Sequence, residues 1–331
     1  MPLFGQKSSK KATRLFFATD LHGSEVSYRK FINAAKFYAA DVLIMGGDVA
    51  GKLLVPIVKD GGAYRARLQG MSQEFSTDAE LADFKKKIGI LGFYHILLSP
   101  DEYVAMKDDK AAIEREFVKA ARQRLADWVQ LAEERLKDTP IKCYVTGGND
   151  DPWEVLGAVE AVGAREHVVA CEGRVVNVDD DHRMISLGYS NETPWHTPRE
   201  ITEGELAEKI EEAVRGVTDF SHVLFNFHCP PKDSTLDTCP MLDTSTDPPT
   251  MITEAGQPVL FGAGSTSVRA AIDKYQPLLA LHGHIHESRG AIKIGRTQCL
   301  NPGSEYGEGI LHGALVNLRE GKLEGYQFTS G

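Results

Sequence analysis

Leu15-Phe16-Phe17-Ala18-Thr19-Asp20-Leu21-His22 is a short apolar run that ends in two side chains able to bind a metal. Nearly continuous apolar runs of this length suit strands covered on both faces. Asp20 and His22 stand two positions apart, so in extended chain both point to one side, whereas on a helix they would diverge. The stretch reads as a buried strand that delivers ligands at its carboxyl end, the edge at which open α/β sheets bind.

Four further runs repeat the pattern. Val42-Leu43-Ile44-Met45 leads to Gly46-Gly47-Asp48, and Ile141 to Val145 leads to Gly147-Gly148-Asn149-Asp150. Val223 to Phe227 leads to His228, and Leu278 to Leu281 leads to His282-Gly283-His284-Ile285-His286. One such ending is usually a turn or a cap. Five in one chain point to strand ends that converge on one metal site. The donors are then Asp20, His22, Asp48, Asn149, His228, His284 and His286. Oxygen and imidazole nitrogen without thiolate suit manganese, iron or zinc better than a structural zinc site built on cysteine. Seven donors exceed the needs of one tetrahedral ion and suit two ions that share a carboxylate, with Asp48 as the natural bridge. Paired ions about 3.5–4 Å apart form a clamp for phosphoryl transfer.

In this order the five blocks resemble the calcineurin-like metallophosphoesterases, whose pattern is D-x-H, G-D, G-N-[H/D], a lone H, then G-H-x-H. Asn301-Pro302-Gly303-Ser304 is similar to a segment found after G-H-x-H in bacterial and archaeal phosphodiesterase-like members. The resemblance implies an α/β fold of the four-layer α-β-β-α type. It also implies a hydrolase with two divalent metal ions, manganese first, iron or zinc as alternatives. It assigns Asp20, His22, Asp48 and His286 to one ion, and Asp48, Asn149, His228 and His284 to the other. A hydroxide held between the ions would attack phosphorus, with Asn149, Asp150 and His228 in the catalytic set and a small phosphoester as substrate.

Two departures bear on chemistry. Many members follow the third block's Asn with a His that protonates the leaving group, and this chain has Asp150, then Asp151. Phosphatase members often read G-D-x-x-D-R, and this chain reads Gly47-Asp48-Val49-Ala50-Gly51-Lys52. Both favour a phosphodiester over a plain monoester. The alternative is a non-enzymatic interaction scaffold on the same fold, but scaffold members tend to lose ligands and all seven are kept here.

The formal net charge of −10 disfavours nonspecific nucleic-acid binding, which needs basic surface. It leaves room for a small nucleotide, because bound cations reverse the local field. The cysteines at 143, 171, 229, 239 and 299 form no C-x-x-C pair, which suits reduced thiols in the cytoplasm. No apolar run approaches the ~18–20 residues of a membrane span, so no membrane partner is expected.

A single domain is expected over 12–331, after a flexible tail at 1–11. The stretch 53–140 far exceeds the dozen or so residues that a βαβ crossover needs. It reads as a mostly helical insertion, a lid or a homo-oligomer contact, with a hairpin at Val55–Leu68 and a long helix at 109–137. Residues 25–40 and 200–215 also carry helical spacing. The stretch 229–264 reads as one long loop walling the cleft. Ser265-Thr266-Ser267-Val268-Arg269 reads as a helix start where Arg269 could bind a substrate phosphate. His282 is expected to support the ligands, and Asp237 and Trp195 are weaker cleft candidates. Asp179-Asp180-Asp181 reads as a solvated hairpin tip.

Overall fold

The five apolar runs form the strands Thr13–Ala18, Val42–Gly46, Lys142–Thr146, Val223–Phe227 and Leu279–Leu281 in a computed structural model that describes residues 11–163, 165–246 and 248–331. The expected tail thus lies outside the described residues except for Lys11. The strands divide between two six-stranded sheets. In the first, Thr13–Ala18, Val42–Gly46 and Lys142–Thr146 lie side by side and parallel. The C-terminal hairpin His312–Arg319 and Lys322–Ser330 extends that sheet antiparallel to Thr13–Ala18. In the second, Arg183–Leu187, Val223–Phe227 and Leu279–Leu281 run parallel.

Alternation along each strand explains the core. Leu15, Phe17 and Ile44 of the first sheet pack with Met184, Leu224, Leu279 and Leu281 of the second. The intervening Phe16, Leu43 and Met45 face the other way, against Tyr28, Phe31, Trp128 and Val155 on helices. On the far side Ile185, Phe225 and Ala280 meet Leu206, Ile210, Val268 and Ile272 on two other helices. Glu25–Phe37 is the first crossover helix, capped by Ser24, with Glu25 in the first turn and Lys36 in the last complementing its dipole. Because the ligand-bearing strands are parallel within each sheet, their carboxyl ends meet at one edge.

The insertion holds more sheet than the hairpin expected. Leu54–Asp60 and Ala63–Leu68 form that hairpin, but Met71–Phe75 and Tyr94–Leu98 complete a four-stranded sheet. It has its own apolar cluster of Val55, Ile57, Leu81, Phe84 and Ile88. The helices Asp78–Ile90, Pro100–Met106 and Lys110–Leu136 accompany it, the last capped by Asp109. The insertion also touches the first ligand loops. Ser24 Oγ donates to Ile90 O at 2.9 Å, Gly51 N to Tyr94 Oη at 2.7 Å, and Arg124 to Gly23 O at 2.8 Å.

The stretch 229–264 is not one loop. Thr238–Pro240 pairs with Leu260–Gly262, and two shorter antiparallel pairs lie between them. No helix among the described residues is long and apolar enough to cross a membrane.

Candidate metal centre

The turns after the strands are tight, and their backbone shows it. Asp20, His22, Asp48 and His284 adopt positive φ of 54°, 41°, 47° and 66°. Non-glycine residues rarely do so, and such strain, about 1–3 kcal/mol each, gathers at functional sites. The first two loops run together as a ladder: Asp20 N donates to Gly47 O at 2.9 Å, His22 N to Asp48 O at 2.8 Å, and Gly23 N to Val49 O at 2.9 Å. Gly148 allows the third loop to approach, because a Cβ there would lie 2.0 Å from Asp48 Oδ1. At Gly47, with φ of +123°, a Cβ would lie 2.4 Å from His228 Nδ1.

All seven expected donors come together, and all but His286 and His284 are among the most deeply buried polar residues. Asp20 Oδ1 lies 3.3 Å from His286 Nε2 and 4.0 Å from His22 Nε2. Asp48 Oδ2 lies between the two halves, 3.6 Å from His22 Nε2 and 3.3 Å from His228 Nε2. Asn149 Oδ1 lies 2.7 Å from His284 Nδ1. Asp20, His22 and His286 form one group whose ligand atoms lie within 4.8 Å of one another, and Asp20, Asp48 and His228 form another.

Protons and orphaned atoms test whether this set fits cations. His22 Nε2 and His286 Nε2 face each other at 3.2 Å, a contact at which one ring at most can donate. His228 shares Nδ1 with Gly46 O at 3.0 Å, while its Nε2 is buried without a hydrogen-bond partner. A carbonyl on one ring nitrogen and a bare second nitrogen is how a ligating histidine is oriented. Burial disfavours charge on His228, but Asp48 and Asp20 push it up to about 10. Burial also opposes charge on Asp20, yet His228 and His286 hold its carboxyl below the usual range. This buried field calls for positive charge, which divalent cations supply more fully than a proton. Burial, then His228, lowers His284 to about 4, leaving it neutral as a ligand must be. The residues present fit divalent cations.

At the mouth, Asp150 Oδ2 pairs with Lys52 Nζ at 2.7 Å and lies 3.7 Å from His22 Nδ1. Burial and Asp48 push the Asp150 carboxyl up, and Lys52 opposes them. Tyr306, on a turn just beyond Asn301-Pro302-Gly303-Ser304, lays its ring 4.6 Å from that of His22.

Arg269 is elsewhere engaged. It pairs with Asp273 at 3.0 Å and donates to Lys232 O and Asp233 O, with no hydrogen bond to any of the seven donors. Ser265 does cap a helix, but that N-terminus already holds an anion. Glu203 accepts from Thr266 N at 2.8 Å and Ser267 N at 2.9 Å. Asp237 accepts backbone N–H groups from Asp233, Ser234 and Gly264, and Trp195 is exposed. His282 Nδ1 reaches Phe227 O at 2.8 Å and Cys229 O at 3.1 Å, the residues flanking His228. Asp179 closes its hairpin on Asp181 N, His182 N and His182 Nδ1.

Several supporting residues carry no signal in the sequence. Asp151, wholly buried, accepts from Val49 N, Ala50 N and Gly148 N and so joins the second loop to the third. Burial and Asp48 push its carboxyl up to about 7, against those three donors. Arg199, 2% exposed, stacks between Trp153 and Tyr189, pairs with Glu172, and donates to Gly148 O. No sequence period marks these residues. Ser304, at the end of the Asn301-Pro302-Gly303-Ser304 segment, donates to Asp20 O at 2.7 Å.

No family model matches the chain. The uncharacterized protein MJ1162 of Methanocaldococcus jannaschii is 30% identical over 131 residues, which is 39% of this chain and 51% of that protein. The chain thus spans about half the length of the curated relative it matches. Two solved structures are similar over nearly the whole chain. TT1561 of Thermus thermophilus is 14% identical with a TM-score of 0.50, covering 97% of this chain and 99% of its own. A second is 13% identical with a TM-score of 0.54 and the same coverage. These likenesses show the fold.

Proposed function

We propose that this protein is a metal-dependent phosphoesterase that prefers phosphodiesters, built as a four-layer α-β-β-α sandwich. One observation carries the reading. Seven donors from five strand ends, in two sheets, gather around a single carboxylate, Asp48, and leave His228 Nε2 bare and buried. Asp20, His22, Asp48 and His286 would hold one ion, and Asp48, Asn149, His228 and His284 the other. Bound there, two divalent cations, manganese first, lower the pKa of a water and offset phosphoryl charge.

The remaining roles belong to the chain. Asp48 supplies one carboxylate to both halves. Gly46 O fixes the His228 ring so that Nε2 points inward. Lys52, partly exposed beside Asp150, supplies a cation where a substrate oxygen enters. No histidine occupies the Asp150 position to protonate a leaving group, which favours esters whose leaving group departs unaided. The five cysteines are unpaired, in keeping with a reducing cytoplasm.

The test is a phosphoester panel run with Mn²⁺, Zn²⁺ and Fe²⁺. Aryl phosphodiesters should exceed alkyl monoesters in kcat/KM. The reverse order would overturn the diester assignment, and no turnover with any metal would overturn the hydrolase.

A further inference from the structure

An asparagine ligand has a problem that a carboxylate does not. Its carboxamide offers oxygen at one end and an NH₂ at the other, and only the oxygen can bind a cation. Something must choose the end that faces the site. Asn149 Nδ2 donates to Thr197 Oγ1 at 2.8 Å, while Asn149 Oδ1 lies 2.7 Å from His284 Nδ1. Thr197 Oγ1 in turn donates to Glu200 Oε1 at 2.9 Å. An ionised carboxylate accepts only, so the Thr197 hydrogen must point at Glu200. The hydroxyl lone pairs are then left for Asn149, and a lone pair can meet only the NH₂ end.

Glu200 is suited to this role. It accepts from Thr193 N and Oγ1 and from Thr197 N and Oγ1. Burial opposes its charge, but these bonds hold its carboxyl below the usual range. The loop that carries Thr197 is itself fixed to the third block. Arg199 N donates to Asn149 O at 3.0 Å, and the Arg199 side chain to Gly148 O at 3.2 Å.

Resting on the dinuclear reading above, we infer that Thr197 and Glu200 form a polarity relay that turns the Asn149 oxygen toward the metal centre. Thr197 is thus a positioning residue for the cation that Asn149 holds.

The test is Mn²⁺ binding by chelator-competition titration on the full chain, with thermal unfolding in parallel. Thr197→Val keeps the side-chain shape and removes the hydroxyl. It should weaken one of the two sites by about 10–100-fold, as loss of an outer partner does, and leave the other unchanged. Thr197→Ser should restore it. In an Asn149→Ala background, Thr197→Val should have no further effect, since the pair then has nothing left to couple. Unchanged affinities in Thr197→Val would overturn the relay. So would equal weakening of both sites, failure of serine to rescue, or an additive loss in the double variant. Fewer than two Mn²⁺ bound by the unmodified protein would overturn the dinuclear reading itself, and the relay with it.

Discussion

The loop after Thr146 and the loop after Leu281 both carry candidate ligands, yet they are held by opposite kinds of group. In the first, the Asp151 carboxylate accepts from Gly148 N at 2.7 Å, Ala50 N at 2.7 Å and Val49 N at 3.0 Å. In the second, the neutral Asn301 amide shares its two N–H groups among Ile285 O at 3.0 Å, Gly283 O at 3.2 Å and Leu236 O at 3.3 Å, and accepts from Gly303 N at 2.9 Å. An acidic brace, its carboxyl pushed up to about 7 by burial and by Asp48, is coupled to the charge of the centre. An amide brace holds shape without adding charge. The third-block loop is therefore tied to the electrostatics of the centre, and the His-Gly-His-Ile-His loop chiefly to its geometry.

The largest effect should come from the residue that serves both halves. Asp48 touches the first group through His22, the second through His228, and receives Asp150 N at 3.0 Å. Asp48→Asn should weaken both ions by more than the about 10–100-fold expected of an outer residue, and remove most of the activity. Elemental analysis of the unmodified protein under saturating Mn²⁺ should find close to two ions per chain. Finding one would break the bridged arrangement and confine the comparison to a single site.

The next effect is on stability and separates the braces directly. Asp151→Ala leaves three backbone N–H groups without an acceptor in a site where Asp151 is wholly buried. At about 1–3 kcal/mol for each unsatisfied group, the loss should be about 3 kcal/mol or more. Asn301→Ala leaves only one N–H without an acceptor, that of Gly303; the rest are carbonyls, which tolerate missing partners better because each has a second lone pair. Its cost should be smaller, about 1–2 kcal/mol. Urea midpoints for both variants, at fixed Mn²⁺, decide the order. A larger loss for Asn301→Ala would reverse the contrast between the loops.

What the sequence shows of this arrangement follows from where each interaction is local. The five candidate blocks are legible because each ends its own apolar strand, so the placing of Asp20 or His228 at a strand end is announced by its immediate neighbours. Asp151, Arg199 and Thr197 each also reach a partner 48 to 102 residues away in sequence, Val49, Gly148 and Asn149 respectively, and nothing beside them records that. The stretch Ser265 to Arg269 does start a helix, as its sequence suggests, but Glu203, 62 residues before Ser265, takes the site that a phosphate would need. In the insertion, Met71–Phe75 is a largely polar, exposed strand without the apolar alternation that identifies one. The helices beside it nonetheless carry a local signal in the capping boxes Thr77-x-x-Glu80 and Ser99-x-x-Glu102.

The smallest effect concerns the tip of the third-block loop, where Asp150 stands at the position that holds a histidine in many of the metallophosphoesterases its five blocks resemble. Two roles differ in size. A general acid contributes about 10²–10⁴-fold, whereas a residue that orients a neighbour contributes far less. Asp150 has a partner for the second role: its Oδ2 lies 2.7 Å from Lys52 Nζ, and its backbone N–H is given to Asp48. Asn can still accept from Lys52 through its oxygen, so Asp150→Asn should lower kcat/KM less than about tenfold on a good leaving group, under about 1.4 kcal/mol. Asp150→His adds the missing proton donor and should help poor leaving groups most. Both variants are to be measured across phenyl esters of graded leaving-group pKa, with metal content checked in parallel. If Asp150→Asn cost more than about a hundredfold, within the range of a general acid, and the loss grew as the leaving group worsened, Asp150 would be the acid. The third-block loop would then supply chemistry as well as a ligand, and its carboxylates could no longer be read as braces alone.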